Sequence, residues 1–161
     1  MIESGKYAVV QEGGEGNSLG RIIFRFDNDL SIYLHDTSSK DVFARENRGV
    51  SHGCVRVQYP YELAAFLIGN DNTKMLSRIR YSMVADVSSL GRGRERLSSE
   101  RLASADTLQR SMLIGSVNVT PKVPVHIVYY TLYPNHEGRL ICFNDVYGYD
   151  VLVYNYLRNY L

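Results

Sequence analysis

The chain has 161 residues, a formal charge of +1, hydrophobic content of 45%, and two cysteines. That length fits about one domain, with enough apolar material for a core. The near-zero charge gives no electrostatic case for nucleic acid or an anionic membrane surface, and two cysteines make no disulfide framework. No stretch is long and apolar enough to read as a transmembrane helix.

The first third reads as short strands. "KYAVVQ" at 6–11 is predicted as an edge strand, followed by a glycine-punctuated loop, "EGGEGNSLG". "RIIFRF" at 21–26 carries β-branched and aromatic residues, "DND" turns the chain, and "SIYLH" forms a second strand ending at His35. A polar loop then delivers the chain to Ser51.

Beyond Cys54 the pattern becomes helical. Pro60 stands near a helix start in "YPYELAAFLIGN", with Gly69-Asn70 as the stop. "DNTKMLSRIRYSM" is predicted as a second helix capped by Asp71. Residues 86–115 are ambiguous: "SSERLASADTLQRSML" has helical character, but the stretch before it is loop-like. The basic residues of "GRGRERLSSER" are interleaved with acids and read as a solvated loop.

The last third returns to strand. "KVPVHIVYYTLYP" at 122–134 alternates, "NHEG" turns, and "RLICFND" pairs back as a hairpin. Cys142 lies in that alternating run and is expected to be buried and inert. "YDVLVYNYLRNYL" closes the chain as a helix, with Leu152, Tyr156 and Tyr160 at four-residue spacing. The 13 tyrosines suit strand faces and half-wet clefts.

"SHGCVRV" at 51–57 places a thiol, an imidazole and a guanidinium within five residues. A cysteine thiol is a nucleophile only as thiolate, and a nearby imidazole is a suitable proton acceptor. The candidate bases are His35, His52, His126 and His136, and spacing alone leaves the choice open. His52 is close in sequence, whereas His35 ends a strand and can meet Cys54 across space. His126 reads as a structural mid-strand histidine and His136 as a solvated turn residue. Gly53 permits a sharp backbone turn that aims N–H groups at a developing oxyanion. Arg56 has the parity of Cys54 and suits a carboxylate, or else a structural ion pair. The scattered cysteines and histidines match no zinc spacing, so no metal is expected.

"HDT" at 35–37 followed by "SHGCVRV" resembles the signature of the L,D-transpeptidase catalytic domain, the YkuD domain. "NSLGRIIFRF", "IYLHDT", "VPVHIVYYTLYPNHEGRL" and "FNDVYGYD" resemble its large YcbB-like periplasmic branch. The resemblance implies a mainly β, sandwich-like mixed sheet with a few helices. It implies a single catalytic domain over 1–161, whose first strands are missing at the N-terminus. Cys54 would be the nucleophile and His35 the general base. Asp36 would orient the imidazole, through its backbone carbonyl or by charge. The N–H groups of Gly53 and Cys54 would form the oxyanion hole. Ser51 and His52 would buttress the turn, and Arg56 would contact substrate.

The implied substrates are peptidoglycan stem peptides in the periplasm. The thiolate attacks the L-centre carbonyl of diaminopimelate in a tetrapeptide, D-alanine leaves, and a thioester remains. An amine of a second stem then gives a 3→3 cross-link. Water in its place would make the enzyme an L,D-carboxypeptidase, and loss of chemistry would leave an inactive wall-binding remnant. Carbapenems would acylate the same cysteine, and no cofactor is required.

Overall fold

A computed structural model describes residues 11, 16–51, 53–87, 90, 98–100, 103 and 107–160. The chain divides into two compact units. One combines Met1–Lys40 with Gly53–Val123, and the other combines Asp41–His52 with Pro124–Leu161.

The first unit holds a three-stranded sheet of very short strands: β1 (Ile23–Phe24), β2 (Leu34–His35) and β3 (Val55–Arg56). β1 and β2 are antiparallel and are joined by a turn that Asn28 organises. Its amide oxygen accepts the N–H groups of Leu30 (3.1 Å) and Ile32 (2.9 Å). Its amide nitrogen donates to the carbonyls of Phe26 and Ile32. An Asx side chain of this kind substitutes for the missing backbone ladder at a turn. β3 returns parallel to β2, with Leu34 opposite Val55 and His35 opposite Arg56. Parallel strands need a crossover of a dozen or more residues, which residues 36–53 supply.

Two helices follow, α1 (Pro60–Ile68) and α2 (Thr73–Val84). Pro60 sits in the first turn of α1, where a missing N–H costs nothing. Gly69 ends the helix at a positive φ of 95°. The cap of α2 is Asn72, whose side chain accepts the Met75 N–H at 3.3 Å, rather than the expected Asp71. The third-residue N–H is the orphan donor a cap must satisfy, and that geometry selects Asn72 once the helix begins at Thr73.

Ala64 and Ala65 of α1 meet Leu76 and Ile79 of α2 in a small buried core, with Ile22, Phe24 and Ile114 packed against it. The Arg80 guanidinium lies 4.4 Å from the Tyr61 ring centroid and adds a cation–π contact across the helix pair. The segment after α2 is tied back by Arg78 donating to the Leu113 carbonyl and by Ile114 N–H donating to Ser82 Oγ.

The second unit holds a hairpin, β4 (Leu132–Pro134) with β5 (Leu140–Cys142), and a helix, α3 (Tyr149–Leu157). Of the alternating run at 122–134 only the last three residues enter a ladder. The ladder partner β5 is equally short, and an extended strand is only a strand where a neighbour receives its N–H and C=O groups. Cys142 lies in the expected strand but is exposed, not buried. His126 lies outside the strands and is exposed. His136 is in the hairpin turn with its side chain 89% exposed.

Tyr129, Tyr147 and Tyr149 cluster through tilted, edge and stacked contacts at 5.1–5.6 Å. The Tyr129 hydroxyl donates to Asp145 at 2.6 Å, and Asp145 also accepts the Asp150 N–H at the start of α3. That bond holds the Asp145 carboxyl below the usual range, while desolvation first and the same bond second push the Tyr129 hydroxyl up.

The sheets are small and mixed and the helices few. The edge strand expected at 6–11 lies almost wholly outside the described residues, as do residues 101, 102 and 104–106 of the stretch of helical character at 98–113. Among the described residues no helix is long and apolar enough to cross a membrane.

Candidate active site

His35 closes β2 and is 5% exposed, with Asp36 and Thr37 beside it at 5% and 3%. Three consecutive polar residues this deeply buried must each find partners. The Asp36 N–H donates to the Ile22 carbonyl at 2.9 Å, extending the pairing with β1. The ring Nδ1 of His35 is hydrogen-bonded to the Asp36 carbonyl oxygen. A carbonyl can only accept, so Nδ1 carries the proton and Nε2 is left as the proton-accepting nitrogen.

The Asp36 carboxylate faces elsewhere. Its Oδ2 accepts the Arg21 backbone N–H at 2.8 Å and its Oδ1 accepts the Lys40 ammonium at 2.5 Å. Of the two ways an aspartate here could orient the imidazole, the carbonyl makes the bond and the carboxylate does not. Burial would raise the Asp36 pKa. Hydrogen bonds from Lys40, Arg21 and Thr37, with the Lys40 charge, outweigh it and hold the carboxyl below the usual range.

Cys54 stands one residue ahead of β3 and is half-buried. The register sets His35 opposite Arg56, two residues beyond Cys54. Residues two apart on a strand share a face, and strand spacing with rise per residue puts the Cα atoms of His35 and Cys54 about 8 Å apart. An imidazole and a thiol on one face can meet over that span. The parallel bonds Val55 N–H to Tyr33 C=O (3.0 Å) and Val57 N–H to His35 C=O (2.8 Å) lock the register on both sides of β3. The Cys54 thiol lies 4.0 Å from the Ser31 carbonyl, to which it donates. Ser31 has φ +54°, a left-handed conformation held by the Asn28 bonds on either side of it.

Gly53 has φ +149°, which L side chains rarely adopt, and a Cβ there would press on Ile32. The conformation is what calls for glycine, while the space would need Ile32 to give only by a few tenths of an ångström. The Nε of Arg56 is buried with no hydrogen-bond partner among the described residues. Ser51 belongs to the second unit, and His52 lies outside the described residues. Among the described residues no group of three or more His, Cys, Asp or Glu side chains is placed to hold a metal ion.

Sequence reading alone missed Gly20, Arg21, Asn28, Ser31 and Lys40. The available signals were the Asp36–Lys40 spacing of four and the Asn-Asp pair in the turn. Gly20 passes for loop punctuation until its neighbour is seen.

A sequence profile of the YkuD family, the L,D-transpeptidase catalytic domain, matches residues 2–82, half of the chain. That segment includes every residue from His35 to Arg56. A Haemophilus influenzae protein named "Putative L,D-transpeptidase" is 31% identical over 144 residues, covering 89% of this chain. The chain spans about a quarter of that relative's length, 24%. With a profile match across half its residues and with the histidine and cysteine motifs both inside it, the chain belongs to the YkuD L,D-transpeptidase catalytic domain family.

Proposed function

We propose that this domain is a peptidoglycan L,D-transpeptidase of the YcbB-like branch, working in the periplasm through a cysteine thioester. The observation that carries the reading is the parallel register of β2 and β3, with His35 opposite Arg56 and Cys54 on the same parity. In this reading Nε2 of His35 takes the proton of the Cys54 thiol. The thiolate attacks the L-centre carbonyl of diaminopimelate in a tetrapeptide stem. The carbonyl oxygen becomes an oxyanion and is received by the N–H groups of Gly53 and Cys54. When the tetrahedral adduct collapses, the C–N bond to D-alanine breaks, the imidazolium protonates the leaving amine, and the thioester remains. The side-chain amine of a second stem then attacks the thioester, loses a proton to His35, and expels the thiolate to give a 3→3 cross-link.

The Asp36 carbonyl supports the base assignment because it fixes the Nδ1–H tautomer in advance. Arg56, opposite His35 in the register and with its Nε buried without a partner among the described residues, is proposed to hold a stem carboxylate. Ser51 and His52 are proposed to brace the turn that presents Gly53. The mainly β, sandwich-like architecture of the family is proposed for the whole domain.

Two measurements test this. Incubation with a carbapenem followed by intact-mass and peptide mapping is expected to give one adduct on Cys54, lost in Cys54→Ala. A folded sample with no adduct on Cys54 overturns the cysteine mechanism. Incubation with a purified tetrapeptide is expected to yield a cross-linked dimer. Tripeptide alone would make the protein an L,D-carboxypeptidase, and neither product would leave a wall-binding remnant.

A further inference from the structure

The interaction that orients His35 runs through a peptide carbonyl, and a carbonyl between two strands is held only as firmly as its own residue. Asp36 is held from three sides. Its N–H is bonded to Ile22, one carboxylate oxygen receives the Arg21 N–H, and the other receives Lys40. Gly20 closes the fourth side: it has φ +64°, and a Cβ there would collide with the Asp36 carboxyl group. The carboxylate is thus seated in a backbone cradle and clamped by a cation whose own side chain is half-exposed, 52% against 7% for Asp36.

We propose that Gly20, the Arg21 N–H and Lys40 form an anchor for the Asp36 carboxylate, and that this anchor positions the base by keeping the Asp36 carbonyl on Nδ1 of His35. Lys40 is then a positioning residue, acting through Asp36 without touching the reacting atoms. The inference deepens the transpeptidase reading and rests on it for the role of His35. Its physical core is the tautomer, which exists with or without a stem peptide.

The anchor predicts a graded response. Lys40→Met removes the cation while keeping the stem, so Asp36 loses one of its holds and the carbonyl drifts from Nδ1. Lys40→Arg restores a donor to the same oxygen. Gly20→Ala pushes the carboxyl from the opposite side and should act in the same direction as Lys40→Met. Misplacing a base by about an ångström costs on the order of a hundred-fold in rate.

The experiment is long-range proton–nitrogen correlation NMR on the uniformly nitrogen-15-labelled full chain, with the His35 signals assigned by their loss in His35→Gln. Iodoacetamide alkylation of Cys54 is followed in parallel at one fixed pH. Wild type and Lys40→Arg are expected to show His35 protonated at Nδ1 and bare at Nε2. Lys40→Met and Gly20→Ala are expected to show a mixture of tautomers and slower alkylation. A purely structural role would lower the melting midpoint and leave the His35 tautomer alone. Unchanged tautomer in folded Lys40→Met, or an Nε2–H tautomer in wild type, overturns the proposal. If the tautomer follows Lys40 while carbapenem leaves Cys54 unmodified, the anchor stands and the transpeptidase reading falls. If carbapenem modifies Cys54 while the tautomer ignores Lys40, the anchor falls and the transpeptidase reading stands.

Discussion

Helices α2 and α3 make an instructive pair. "TKMLSRIRYSMV" is the more polar, yet it buries Leu76 and Ile79 against α1. "YDVLVYNYL" is apolar nearly all round, yet no residue of it is buried within its unit. Leu152 is 64% exposed, against 9% for Leu76. The difference lies in pattern and partner. α2 gathers its few apolar side chains on one stripe, and α1 offers small alanines for them to settle on. α3 has no stripe, and the hairpin of its unit presents it no such surface. A helix is buried by what faces it, not by how greasy it is.

The strongest test of this contrast is to cut the same side chain from each helix. Leu76→Ala is expected to destabilise the domain by about 2–5 kcal/mol, since it removes core contacts and leaves a cavity. Chemical denaturation with a two-state fit checks it, and a loss under about 1 kcal/mol would show that the α1–α2 pair is not the core. Next in size, Asp36→Asn should cost about 1–3 kcal/mol, by weakening charge-assisted hydrogen bonds from Lys40 and the Arg21 N–H to a buried group. A denaturation midpoint matching wild type would remove the clamp from the stability argument.

The same carboxylate gives a pH dependence with a definite sign. Its folded pKa is depressed, so its stabilisation is present in full above the unfolded value, about 3.9, and fades as pH falls through the lower folded value. Denaturation midpoints taken from neutral to acidic pH should fall more steeply for wild type than for Asp36→Asn. Parallel curves would mean Asp36 titrates alike folded and unfolded. The smallest effect belongs to α3: Leu152→Ala should stay within about 0.5 kcal/mol. A loss approaching that of Leu76→Ala would instead reveal that something covers α3 in the native protein.

Much of the local structure around the candidate site was readable from residue order. His35 at a strand end, Cys54 behind a glycine, and the helix limits at Pro60 and Gly69 all follow from local chemistry that the fold repeats. The limits of that reading are equally physical. Alternation at 122–134 reports a preference for extended backbone, but pairing needs a second strand, and only Leu132–Pro134 finds one. Cys142 alternates correctly on a hairpin whose two faces are both open, so parity says nothing of its burial. Asp71 and Asn72 are both fit to cap, and a single residue of phase decides between them. Lys40 offers only its spacing of four from Asp36, and Gly20 offers no signal, because what each one touches depends on where Asp36 sits in the fold.

The parallel orientation of β2 and β3 constrains how such a protein can change its length. A two-residue hairpin cannot link strands running the same way, so residues 36–53 act as a bridge with a minimum span. Lengthening it within the exposed stretch 44–49 is cheap, since doubling a flexible loop costs only about 0.6 kcal/mol. Trimming it below about a dozen residues would pull histidine and cysteine out of step. Insertions at that exposed stretch should therefore be survivable and sizeable deletions should not, which makes it the natural place for such a domain to gain new sequence without shifting His35 against Cys54.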